Sequence, residues 1–191
     1  MLIEILAMIL KAVFGFFTML LLVRVAMRFM RISFITQLGQ FVLTTTNWAV
    51  LPFQRIVPSV GKLELSVLLP AWLLQALLAL ILALLSGHRL GQPVSVLLGI
   101  LSIGGFELLR SALYLLLGVV ILGAVISWVN PYSPFAGPIN ALTRPFLTPF
   151  RRILPPISGV DLSPILLLLL LQILLYVLSR VQGGFSYLLF V

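Results

Sequence analysis

Long apolar runs, broken at intervals by clusters of proline, glycine and arginine, organise this chain. A helix needs about 20 mostly apolar residues to cross the hydrocarbon core of a bilayer. Four stretches meet that demand: residues 12–30, 67–85, 111–129 and 163–179. The second carries no charge, and the fourth holds the leucine run Leu166 to Leu171. Between the second and third lies a turn rich in glycine and proline, and then a short apolar stretch at 94–103 that Gly104 and Gly105 end. That stretch is too short to span. It reads as a re-entrant helix, an interfacial helix or an extension of the third span. The apolar, aromatic tail at 183–191 is expected in the interface or against the bundle.

The segments after the first and third spans are alike. LPFQRIVPSVGKLELSVLLPAWLLQALL, from Leu51, aligns without gaps with TPFRRILPPISGVDLSPILLLLLLQILL, from Thr148, at a constant separation of 97 residues. Pro52 meets Pro149, Phe53 meets Phe150, Arg55 meets Arg152, Glu64 meets Asp161, Ser66 meets Ser163 and Gln75 meets Gln172. Chance likeness between leucine runs does not put proline, arginine, acid, serine and glutamine in register, so the chain reads as a tandem duplication. The units are 7–86 and 106–182, with a linker at 87–105 and the tail after them. Two spans per unit return the chain to the same side. The repeats are therefore parallel, related by a pseudo-two-fold axis along the membrane normal, unlike the inverted repeats of many transporters. The expected fold is an all-α integral membrane protein of four transmembrane helices in two parallel-related helix–loop–helix repeats, with interfacial or re-entrant helices in the loops.

Composition agrees with the pattern. Of 191 residues 62% are hydrophobic and 8% charged, whereas a soluble domain carries roughly 25% charged residues. With no cysteine and one histidine, His88, the chain has no means of building thiolate, disulfide or multi-histidine sites. No cofactor, metal or catalytic residue is expected, since nothing gathers histidine, cysteine, paired acids or an activated serine. Glu4 and Lys11 interrupt the first apolar run and no small-residue cleavage site follows, so that run reads as a retained span.

The formal net charge is +8. On a soluble module it would suggest nucleic acid; here the arginines flank spans, and anionic headgroups are the better partner. Eight basic residues fall on the loop side (Arg24, Arg28, Arg31, Arg55, Lys62, Arg144, Arg151 and Arg152) against four on the other (Lys11, Arg89, Arg110 and Arg180). The positive-inside rule then puts the loops in the cytoplasm and both termini outside.

The stretch SWVNPYSPFAGPINALTRPFLTPFRRILPPISGVDLSP, 127–164, resembles the YggT family of small bacterial and plastid membrane proteins. It carries a tryptophan followed by proline, a P-x-x-P-F-R-R-x-x-P-P run and an acid-Leu-Ser-Pro at the next helix. The first copy is a degenerate version, with Gln54 for the first arginine, Ser59 for the second proline, Val67 for the helix proline and Arg31 where the second copy has Trp128. The resemblance implies a bacterial inner-membrane protein. It associates the chain with maturation of a b-type cytochrome or nucleoid organisation in plastids, and with the envelope, cell division and osmotic tolerance in bacteria. It brings no catalytic residues.

What the motif can do follows from its residue types. The prolines of PFLTPFRRILPP point to extended backbone at the interface, downstream of amphipathic helices at 35–50 and 138–147. Arg55, Arg144, Arg151, Arg152 and the interfacial Trp128 are the candidates for lipid headgroups or a partner membrane protein, or for contact between copies. Glu64 and Asp161, with Ser66 and Ser163, either cap the helices that follow or clamp loop to helix by pairing with Arg55 and Arg152. Gln75 and Gln172 each lie 11 residues beyond the acid, about 16 Å deeper. The pseudo-two-fold would join them in an interhelical hydrogen bond. Arg24, Arg28 and Arg31 form a stripe expected to snorkel, and Glu107 with Arg110 a local pair.

Overall fold

The computed structural model describes residues 1–55, 57, 64–87, 92–130, 132–133, 136–153 and 161–186, with the side chains of Leu38 and Trp128 outside the description. Within these residues all regular structure is helix: α1 (Leu2–Phe29), α2 (Gln37–Gln54), α3 (Leu65–Leu85), α4 (Pro93–Val129), α5 (Ala136–Ile153) and α6 (Ser163–Ser186). Four of them, α1, α3, α4 and α6, are long and apolar enough to cross a membrane. Large apolar side chains such as Leu77, Leu122, Ile173 and Val177 remain exposed along them, as suits a surface that faces lipid.

The short apolar stretch is part of α4, a helix of 37 residues, about 55 Å long. Of the three readings of 94–103, extension of the third span is the one observed. Gly104 and Gly105 do not end a helix. They let α4 cross α3 closely, so that a Cβ on Gly104 would lie 2.8 Å from the Ala76 nitrogen. Small residues at such crossings are usual between membrane helices. Beside it Trp72 Nε1 donates to the Leu101 carbonyl at 3.0 Å. Gly183 and Gly184 are likewise helical, within α6.

The connectors are helical further than expected. α5 continues through Pro145 and Pro149, and α2 through Pro52. A proline withdraws one donor from the carbonyl four residues earlier. All three prolines are exposed, so the carbonyls they free lie at a surface where water or headgroups can satisfy them. The expected extended backbone is therefore confined at most to the residues after Ile153. Pro155 and Pro156, like Pro58 and Lys62, lie outside the described residues.

Each repeat has its own small core. In the first, Leu21, Val50, Val67 and Ala71 are buried together; in the second, Val120, Leu147, Leu167 and Leu171. Val50 and Leu147 are 97 positions apart, but Leu21 and Val120 are 99 apart. The duplication therefore shifts by two residues before the connectors. In this register Trp128 answers to Phe29, an aromatic, rather than to Arg31.

A third cluster, Ala76 with Val96 and Ile100, joins the repeats through α3 and α4. A closed two-fold would match this junction with one between α6 and α1. Instead α6 packs on α4 and α5, and α3 and α6 share no substantial contact. The repeats therefore do not close on a two-fold: α1, α3 and α4 pack against one another, and α6 lies with α5 against α4.

Candidate functional site

Both motif acids are engaged, by different cations from those expected. In the second repeat α5 brings Arg151 over the start of α6, and its Nε donates to Asp161 Oδ2 at 2.8 Å. The other carboxylate oxygen, Oδ1, accepts from the Ser163 amide at 2.9 Å. Clamp and cap thus occur in one residue. Burial alone would raise the Asp161 pKa, but the hydrogen bonding of Ser163 and Arg151 outweighs it and holds the carboxyl below its ordinary value. Arg152, the partner expected from the spacing, is exposed, because successive residues on a helix point about 100° apart.

In the first repeat the acid is deep. The Glu64 side chain is 4% exposed and accepts from Arg28 Nη1 at 2.6 Å. Gln54 Nε2 approaches the same oxygen at 3.4 Å. Gln54 stands where the second repeat has Arg151, so the connector keeps its reach but loses its charge, and α1 supplies the cation. Glu64 makes no side-chain cap. Arg55, the expected partner, is exposed.

The arginine stripe does not snorkel as a unit. Arg24 is 5% exposed and its Nη1 donates to Thr46 Oγ1 at 2.8 Å and Asn47 Oδ1 at 2.9 Å, both on α2. Desolvating a guanidinium is tolerable when donors are satisfied this way. Sequence spacing did not reveal it, because Thr46 and Asn47 lie on a different helix. Ser66 and Ser163 are both buried at the first turn after their acid.

The glutamines do not meet. Gln75 is buried and its Nε2 donates to Thr18 Oγ1 at 2.9 Å. Gln172 is exposed on α6. The expected pair fails because the repeats adjoin through α3 and α4, which leaves α6 on the far side of α4.

Toward the other membrane face Glu107 and Arg110 pair at 2.8 Å as expected. Gln182 joins them, donating to Glu107 Oε1 at 2.8 Å and accepting from Arg110 Nη2. This link between α4 and α6 spans 75 residues of sequence and had no local signal. A cavity of about 400 Å³ lined by Lys11, Glu107, Arg110, Tyr114 and Ser111 reaches inward to Gln75. Next to Gln75 the buried cluster of Leu21, Val50, Val67 and Ala71 occupies the interior. Among the described residues no three of His, Cys, Asp and Glu gather as metal ligands.

On the outer surface of the connectors Arg55, Arg144, Arg151 and Arg152 are all exposed, while α5 buries Ala136, Thr143 and Leu147 on its other side. Trp128 belongs to α4, its side chain outside the described residues.

Comparison with known proteins agrees with the duplication. A profile of the CCB3/YggT family matches residues 3–85 and again 103–182. A Vibrio alginolyticus protein described by its place in the proC 3' region is 31% identical over 92% of this chain and 94% of its own length. The YggT protein of Escherichia coli strain K12 is 32% identical over 88% of this chain and 86% of its own. The ycf19 protein of Porphyra purpurea, 37% identical, matches over 50% of this chain and 95% of its own length, as a single repeat would. No solved structure matches. Two matched regions, two acids in register and four apolar spans lead to one assignment: this chain is a member of the CCB3/YggT family with two tandem repeats.

Proposed function

We propose that the chain is a non-enzymatic scaffold of the bacterial inner membrane that organises or assembles other envelope components. Its two amphipathic connectors lie against the cytoplasmic leaflet. There Arg55, Arg144, Arg151 and Arg152 meet anionic headgroups or a partner membrane protein. The observation that carries this reading is the clamp. Each connector is tied to the next span through its acid, by Gln54 to Glu64 and by Arg151 to Asp161. The connector is thereby held in place while most of its arginines stay exposed. Exposed, prearranged guanidinium groups suit phosphate or carboxylate recognition. The excess of basic residues on the connector side supports a cytoplasmic location for it, with the termini periplasmic.

The test is site-specific photocrosslinking in native membranes, with the reactive residue in turn at Arg55, Arg144 and Arg152. Phospholipid adducts or one recurrent membrane protein, from both connectors, is the expected result. Adducts no more frequent than from Arg180 would overturn the reading. The absence of cysteine makes single-cysteine labelling of the same positions a clean check that both connectors face the cytoplasm.

A path for ions or osmolytes is the alternative, and the cavity that reaches Gln75 favours it. Two features weigh against it: Gln172 lies on an exposed face away from that cavity, and an apolar cluster follows Gln75. Flux through proteoliposomes that vanishes on Gln75→Leu would reverse the preference.

A further inference from the structure

The end of α1 is built in an uncommon way. The Arg31 amide donates to the Arg28 carbonyl and the Ile32 amide to the Met27 carbonyl, the pattern that closes a helix with a left-handed residue after its C-cap. Glycine is the usual occupant because a Cβ is strained there. Here the residue is Arg31, with φ 55°, and it is the one non-glycine with positive φ among the described residues. Its side chain is exposed and, unlike Arg24, Arg28, Arg110 and Arg151, has no polar partner among the described residues. Strain of this kind, held where glycine would be free of it, points to a use for the side chain.

Met30, the residue before it, lines a groove of about 410 Å³ where the two repeats face each other. Ala26 of α1 and Met30 at its C-cap, Ala112 and Leu116 of α4, and Leu142 and Phe146 of α5 form its walls, and almost nothing polar lines it. The two alanines open the space. Its volume falls in the ordinary range of small-molecule sites, about 300–1,000 Å³. From Leu22 to Met30 the groove follows α1 and its C-cap for about 12 Å, and the next residue in the chain is Arg31, without a polar partner among the described residues. An apolar slot with a cation one residue beyond its lining complements an acyl chain that carries an anionic phosphate.

We propose that this inter-repeat groove holds one acyl chain of an anionic membrane phospholipid, its phosphate received by Arg31. The site deepens the lipid-contacting scaffold reading and rests on it for orientation. A bound chain would fill the space between α1 and α5 and so couple the two repeats.

The test uses the full-length protein in detergent, exchanged against phosphatidylglycerol or phosphatidylcholine, with retained lipids counted by native mass spectrometry and thermal unfolding followed in parallel. The wild type should keep one phosphatidylglycerol per chain. Arg31→Gly, which suits the left-handed backbone, should unfold at a higher temperature without lipid. It should also hold phosphatidylglycerol about tenfold more weakly, the scale of one charge-assisted hydrogen bond. Ala112→Phe should lose phosphatidylglycerol by filling the groove. Arg31→Gly that keeps phosphatidylglycerol as the wild type does, or a wild type that holds both lipids alike, would overturn the proposal. So would a second copy captured by disulfide between Ala26→Cys and Ala112→Cys of different chains. Such a failure would leave the crosslinks from Arg55, Arg144 and Arg152 unchanged; failure of the scaffold reading would leave the Arg31-dependent lipid count intact.

Discussion

The two repeats solve one electrostatic problem differently. In both, an acid stands just before the second span. In the second repeat the connector supplies the cation, Arg151, and the pair is partly exposed, with side chains 44% and 26% accessible. In the first repeat the acid is buried, the connector offers the neutral Gln54, and the cation comes from α1 as Arg28. The acid's position is the constant and the source of the charge varies. Arg24 extends the contrast. It reaches Thr46 from α1, whereas beside Thr143, the counterpart of Thr46, the second repeat has Gly123 and a void of about 40 Å³ that Asp161, Arg151, Asn140 and Ser127 also line. The first repeat fills with guanidinium what the second leaves hollow.

The largest test of this contrast is removal of each cation. Arg28→Ala strands a buried carboxylate and should cost about 3 kcal/mol, the lower end for such a loss because Arg28 is half exposed. Arg151→Ala should cost under about 1 kcal/mol. Equal effects in mixed-micelle unfolding would refute the asymmetry, and adding Glu64→Gln should recover most of the Arg28→Ala loss. Next in size are the glutamines. Gln75→Leu leaves the Thr18 hydroxyl buried without its partner and should cost about 1–2 kcal/mol, while Gln172→Leu should be neutral or slightly stabilising, both read from the same unfolding curves.

The smallest effect is in pH. Asp161 titrates below its ordinary value in the fold. Its stabilisation is therefore complete above the ordinary carboxylate pKa and fades as pH falls through the depressed one. Amide exchange at the start of α6 should rise across that acid window, and Arg151→Ala should move the rise to higher pH. If the rise does not move, the pair does not govern the acid.

Much of the fold was legible before any geometry. Span lengths and the in-register Pro, Arg, acid and Gln positions were sufficient for the membrane class and the tandem repeat. They were insufficient for partners. Glu64 is bonded to a residue 36 positions earlier, and a register slip of two in α1 hid that Ser127, not Val125, is the second repeat's counterpart of Arg28. Prolines suggested a broken connector, because spacing does not say which face of a helix is exposed. The glycine pair suggested a helix end, because spacing does not say what another backbone will approach.

That approach has a consequence for assembly. At Gly104 the two units touch almost backbone to backbone. Only seven residues separate Leu85 from Pro93, and so short a connection gives the units an effective concentration on the order of millimolar for each other. Covalent fusion thus spares the two backbones the cost of finding each other in the bilayer.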